Sequence, residues 1–160
     1  MALALSGGST TFTSTFTASP TANRAVTVPD ADLTITGNDM TQTLTNKTVT
    51  NPTVTNYTES VVAIGNSGTS QTLSLTNGTV QTVTLTGNCT FTMPTATAGK
   101  SFILIVVQDG TGGRTATFTS VKWPAGNAPT ITATATTGRD ILTFVADGTN
   151  WYGTFVQNFS

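Results

Sequence analysis

Apolar and polar residues alternate along much of the chain, as in Thr82-Val83-Thr84-Leu85-Thr86 and Ile131-Thr132-Ala133-Thr134-Ala135-Thr136. A period of two is the pitch of a β-strand rather than of a helix. The pattern predicts strands at 60–64, 71–75, 80–86, 89–93, 101–107, 114–119, 129–135, 139–146 and 151–156. Turn residues punctuate them: Asn66-Ser-Gly, Asn77-Gly78, Gly87-Asn88, Asp109-Gly110, Gly112-Gly113, Pro124-Ala-Gly-Asn and Asp147-Gly148-Thr-Asn150. Phe102-Ile-Leu-Ile-Val-Val is apolar at every position, which predicts a central strand covered on two sides. Thr115–Thr119 is expected as its neighbour. Ile141, Thr143 and Val145 are expected to face opposite to Leu142, Phe144 and Ala146, with Trp151–Val156 returning as a hairpin onto that strand. No segment has a helical period with caps, so almost no helix is expected. Short strands at regular spacing suggest a β-sandwich, jelly-roll-like, over residues 60–160.

Residues 1–59 read differently. After Phe16 their bulky apolar residues are sparse, in short pieces separated by Pro29-Asp30, Gly37-Asn38, Asn46-Lys47 and Asn51-Pro52. Leu44, Val49 and Val54 recur every five residues within Thr41-Gln-Thr-Leu-Thr-Asn-Lys-Thr-Val-Thr-Asn-Pro-Thr-Val-Thr-Asn. One inward apolar residue per short strand and turn suits a fibrous β-structure. A single copy cannot bury enough apolar surface here to offset the entropy of ordering it. An extended β stem or arm that lies against other subunits or a docking surface is therefore expected.

Composition sharpens this picture. A quarter of the residues are threonine, whose branched Cβ favours extended backbone. Only 8% are charged and the net charge is -1, so repulsion does little to resist self-association. No basic patch is present for phosphates, so no nucleic-acid partner is expected. Eight Phe, two Trp and two Tyr argue against a disordered Thr-rich stalk. Met1-Ala-Leu-Ala-Leu-Ser lacks the features of a signal peptide, and no apolar run has the length of a membrane helix. The chain is expected to be made in the cytosol without membrane insertion. Four Asn-X-Thr matches, at Asn46, Asn56, Asn77 and Asn88, arise readily by chance in a chain so rich in threonine.

Catalytic chemistry has little to work with. There is no histidine, which removes imidazole acid–base catalysis and histidine metal sites. The single cysteine, Cys89, excludes an internal disulfide and reads as a buried, inert thiol. Asp109 and Asp147 belong to Asp-Gly turns, where a carboxylate caps its own backbone. A glycosidase pair drawn from Asp109, Asp140 and Asp147 would need the fold to bring them together. A calcium loop at Asp109-Gly-Thr-Gly-Gly would have a single carboxylate. No enzyme activity, cofactor or metal is expected. Trp123, Trp151 and Tyr152 remain as candidates for surface or glycan contact, because aromatic faces stack on sugar rings as well as packing into cores.

Several stretches recur together in a known kind of protein. Thr86-Gly-Asn-Cys-Thr-Phe-Thr-Met-Pro, Ala98-Gly-Lys-Ser-Phe, Gln108-Asp-Gly-Thr-Gly-Gly-Arg-Thr-Ala-Thr-Phe, Val121-Lys-Trp-Pro-Ala-Gly-Asn-Ala-Pro-Thr and Asp147-Gly-Thr-Asn-Trp-Tyr-Gly resemble the C-terminal β domain of tailed-bacteriophage tail-fibre, head-fibre and other virion-surface proteins. The resemblance covers about residues 80–160. Arg24-Ala-Val-Thr-Val-Pro-Asp-Ala-Asp and the repeat from Thr41 resemble the stems that precede such domains. The resemblance implies a homotrimer: residues 1–59 as a virion-attachment arm and stem, residues 60–160 as an outward tip. Leu3, Leu5, Phe12 and Phe16 are the expected anchoring contacts to a capsid, portal, tail or baseplate protein. The implied role is a non-enzymatic virion structural protein, a short fibre or spike for host attachment that contacts a host surface glycan. A capsid decoration protein is the alternative, and a polysaccharide-degrading tail spike is a third reading.

Overall fold

A computed structural model of the chain describes residue 43 and residues 45–159. The expected anchoring residues Leu3, Leu5, Phe12 and Phe16 lie outside the described residues, as does most of the expected arm. The chain divides into two units, Met1–Pro52 and Thr53–Ser160.

Within Thr53–Ser160 the chain winds. β1 (Val61–Asn66), β3 (Val80–Leu85) and β5 (Ser101–Gln108) lie side by side and parallel in a larger sheet. β2 (Ser70–Thr72), β4 (Cys89–Thr92) and β6 (Ala116–Phe118) are likewise parallel in a smaller one. Each turn of the coil thus lays one strand in each sheet, with Val61, Val80 and Ile103 in register along the stack. Parallel neighbours need a crossover connection, and here the strand of the opposite sheet is that crossover. A two-residue β7 (Val121–Lys122) and a 3-10 turn at Pro124–Gly126 lead to β8 (Arg139–Ala146) and β9 (Trp151–Phe159). β8 adds antiparallel to β5, β9 antiparallel to β8, and β7 parallel to β9. The larger sheet therefore has six strands in the order β1-β3-β5-β8-β9-β7, beside the three-stranded sheet β2-β4-β6.

The all-β expectation holds, with almost no helix. The hairpin of Trp151–Val156 onto 139–146 is also present. Other expectations need correction. Five of the seven strand pairings are parallel, whereas a jelly roll is antiparallel. Residues 114–119 do not neighbour 101–107; β6 pairs with β4 in the other sheet. Residues 129–135 form no strand, although Ile131 is buried. Their hydrogen bonds go elsewhere. Thr132 N donates to Asp140 Oδ2 at 2.6 Å, Thr132 O accepts from Gln108 Nε2 at 2.8 Å, and Ala133 O accepts from Gly113 N at 2.9 Å. A side-chain carboxylate, a side-chain amide and a loop satisfy this backbone in place of a ladder.

One core joins the two sheets. Leu73, Cys89, Phe91 and Met93 come from the β2 and β4 strands and their ends; Val83, Leu85, Phe102, Leu104, Val106, Leu142, Phe144, Ala146 and Trp151 come from the larger sheet. Phe91 stacks on Phe118 at 5.1 Å and Phe102 on Phe144 at 4.6 Å, while Phe118 meets Phe144 across the sheets at 5.7 Å. Two buried glutamines hold the loops at the ends of this core. Gln81 Nε2 donates to Ser74 O and Gly78 O. Gln108 Nε2 donates to Arg114 O, and its Oε1 accepts from Arg114 N. Gly112 is required in the loop so held: its φ is +70°, and a Cβ there would lie 2.5 Å from Ala133 O.

Candidate functional surface

The three aromatic candidates separate. Trp151 opens β9 on its inward side with 1% of its surface exposed. Phe102 lies edge-on to it at 5.2 Å, and its indole Nε1 donates to Pro94 O at 2.7 Å. This is a core tryptophan with its polar atom paired, and it has no face open to a sugar. Trp123 is half-buried, lying over Gly153 with ring contacts to Phe118, Phe144 and Phe155 at 5.7 to 5.9 Å. Tyr152 alone points outward, 44% exposed. Its hydroxyl donates to Asp147 Oδ2 at 3.0 Å. The stacking surface expected from the sequence therefore narrows to Tyr152.

The carboxylates are engaged locally. Asp147 Oδ1 accepts from Thr149 N and Asn150 N, both at 2.7 Å. The backbone N–H groups of Asn150 and Thr149, with the Tyr152 hydroxyl, lower its pKa to about 2. The same contact with Asp147 raises the Tyr152 phenol above its ordinary value. Asp109 Oδ1 accepts from Thr111 N and Gly112 N, while Arg114 grips Oδ2 through Nε and Nη2. That guanidinium is the first cause holding the Asp109 carboxyl below its usual range. Asp140 is fully buried and accepts from Thr132 N, Thr132 Oγ1 and Asn158 N. The last of these pins Asn158, at φ 62°, where the β8–β9 register shifts. Cys89 is buried, and desolvation raises its thiol pKa. Among the described residues no buried side-chain polar atom lacks a partner and no cluster of three metal-ligating groups occurs. Each of these three aspartates thus has a turn or loop to hold.

The feature the sequence reading missed is the outer face of the larger sheet. Phe102, Leu104 and Val106 point into the core, and the residues between them point out: Ile103 is 36% exposed, and Ile105 and Val107 are partly so. The strand is central, as expected, but among the described residues it is covered on one side only. The exposed face continues sideways. Ile103 pairs with Val80 and Val80 with Val61; Ile105 pairs with Ile141 and Ile141 with Val156. Val61, Val145 and Val156 are 50 to 61% exposed. Arg139 and Lys122 stand at the ends of the outward rows of β8 and β7. The uninterrupted run 102–107 was the available signal, because a half-solvated strand alternates.

A second exposed series precedes β1. Asn46, Asn51 and Asn56 have φ of 53°, 48° and 55°. Each follows a Val-Thr or Leu-Thr pair in sequence, so a left-handed residue recurs every fifth position. Asparagine tolerates that conformation better than other side chains with a Cβ. Val49, Val54 and Tyr57 are 58 to 68% exposed.

No family model matches this chain, and no curated protein or solved structure is significantly similar to it. Among the described residues no helix is long and apolar enough to cross a membrane.

Proposed function

We propose that the chain is a non-enzymatic structural protein of a bacteriophage particle, a short homotrimeric fibre or spike. In this reading an N-terminal arm attaches to a capsid, portal, tail or baseplate protein. Residues 60–160 form a β-sandwich tip displayed toward the host, and Tyr152 offers an aromatic face to surface glycans. The virion-surface resemblance of residues 80–160 supports it. The observation that carries it is the five-residue repeat at Asn46, Asn51 and Asn56. The left-handed asparagine returns every fifth residue, yet the apolar Val49, Val54 and Tyr57 along it are exposed. Repeated apolar residues left exposed in one copy are what parallel copies, each covering the others, would bury.

Two measurements test the proposal. Sedimentation of the full chain at micromolar concentration is expected to give the mass of three copies, and a stable monomer contradicts the stem reading. Imaging of the particle with a label on this chain is expected to find few copies at protruding sites. Hundreds of copies spread over the shell would instead make it a decoration protein.

A further inference from the structure

We infer that the outer face of the six-stranded sheet is the surface on which copies of this chain meet; the inference rests on the homo-oligomer reading above and adds the site of contact. Strands that are apolar on both sides belong in sheets with both faces covered. β5 is such a strand, and among the described residues no helix or second sheet covers its outer side chains. The exposed rows reach across five strands, from β1 to Val156 of β9, with Tyr152 left at the rim beside Lys122 and the Asp147 turn, where it stays open. At ~4.8 Å between strands and ~3.3 Å per residue, that face has roughly 600 Å² of projected area. This approaches the roughly 800 Å² per partner of a stable interface.

The face itself indicates its occupant. Its outward rows consist mainly of branched aliphatics and threonines, with Arg139 and Lys122 at its margin and Glu59 at one end, beside Val80, Ile103 and Thr143. A mainly aliphatic surface is complementary to another of the same kind, and a second copy supplies one of the same chemistry. Net charge of -1 sets up little repulsion between copies. Within the same unit, the exposed Val54 and Tyr57 lead directly into Val61 of β1. Chains that run parallel through residues 54–60 present this same face to one another at β1.

Cysteine labelling tests the contact in the full-length protein. Val156→Cys lies on the β9 side of the face, next to Ile141 of β8, and Thr117→Cys on exposed β6 of the other sheet is the control. Native Cys89 is buried and stays silent. In the assembled protein, Val156→Cys is expected to react with a maleimide at least about ten times more slowly than Thr117→Cys. The double variant I105K/V156K is expected to keep its β circular-dichroism spectrum and to lose assembled mass, at least at low concentration. Equal labelling rates in a protein that still has the mass of three chains would overturn this inference and leave the trimer standing. Equal rates in a monomer would overturn both.

Discussion

The two faces of the larger sheet are made by alternate residues of the same strands, yet they solve different problems. The inward face carries Leu85, Phe102, Leu104, Leu142, Phe144 and Trp151, leucines and aromatics unbranched at Cβ, together with Val83 and Val106. These side chains reach across to Phe91 and Phe118 of the small sheet and interdigitate. The outward face carries Val80, Ile103, Ile105, Ile141, Val145 and Val156, all branched at Cβ. Branched residues stiffen a strand and give a low, flat apolar surface. A flat surface suits contact with another flat surface; a deep one suits a core closed within the chain. Hydropathy alone therefore does not separate the two faces; what marks the inward one is its leucines and buried aromatic rings, with Val83 and Val106 among them.

Consecutive residues on β9 give the sharpest contrast. Trp151→Ala is expected to cost about 3–5 kcal/mol, because it removes a fully buried ring and leaves a cavity beside Phe102. Tyr152→Ala, one residue later on the outer side, is expected to cost less than about 1 kcal/mol in the isolated chain. Denaturant titration of both variants in monomeric form measures this difference. Equal losses would mean that the outer face is as tightly built within one chain as the inner.

Overpacking probes the inner face from the other direction. A Cβ at Gly153 would lie 2.5 to 2.8 Å from three atoms of the Trp123 ring. That ring is hemmed in by Phe118, Phe144 and Phe155, so it has little room to retreat. Gly153→Ala is expected to cost about 1–3 kcal/mol. Thr154→Ala, the next and outward-facing residue, is expected to change stability by less than about 0.5 kcal/mol. Thermal unfolding of the pair is the check.

A buried amide gives a third loss of similar size. Gln108→Ala leaves Arg114 N and O and Thr132 O without their side-chain partner. The expected cost is about 1–3 kcal/mol, reduced wherever water enters to replace the amide. Hydrogen exchange at Arg114 N is expected to speed up. Unchanged exchange there would show that the loop is held by the Asp109–Arg114 pair instead.

Strand positions were legible in the sequence wherever alternation and turn residues agreed, as at β3, β5, β8 and β9. The stacking of those strands was not, because parallel order depends on contacts between turns of the coil some twenty residues apart, as in the pairing of Val61 with Val80. Residues 129–135 alternate as a strand does, but Asp140 and Gln108 draw their backbone into side-chain hydrogen bonds, which no local pattern encodes. Of the aromatic candidates, Trp123, Trp151 and Tyr152 share a loop-to-strand setting in the sequence. The parity of Trp151 and Tyr152 within β9 sends one inward and one outward. That parity was available from the pairing of Leu142 and Phe144 with the core, had the register of the hairpin been known.

The smallest expected effect is on the outer side, at the turn beside Tyr152. Asp147 is held at about 2, below its ordinary carboxylate value, chiefly by the Asn150 and Thr149 backbone N–H groups. A carboxyl whose pKa falls on folding releases its proton more readily in the folded state. Its stabilising contribution is therefore present above the unfolded pKa of about 4 and fades as pH falls toward 2. The group is exposed, so the contribution is small and salt-sensitive. Asp147→Asn is expected to flatten the stability profile between about pH 4 and pH 2, with little change at pH 7, where an amide oxygen can still cap the turn. In the parent protein the Tyr152 phenol is expected to titrate above its ordinary value, and in Asp147→Asn to move back toward it. If the tyrosine titration does not move, the Asp147–Tyr152 contact is absent in solution, and Tyr152 stands free on the outer face with the aliphatic residues around it.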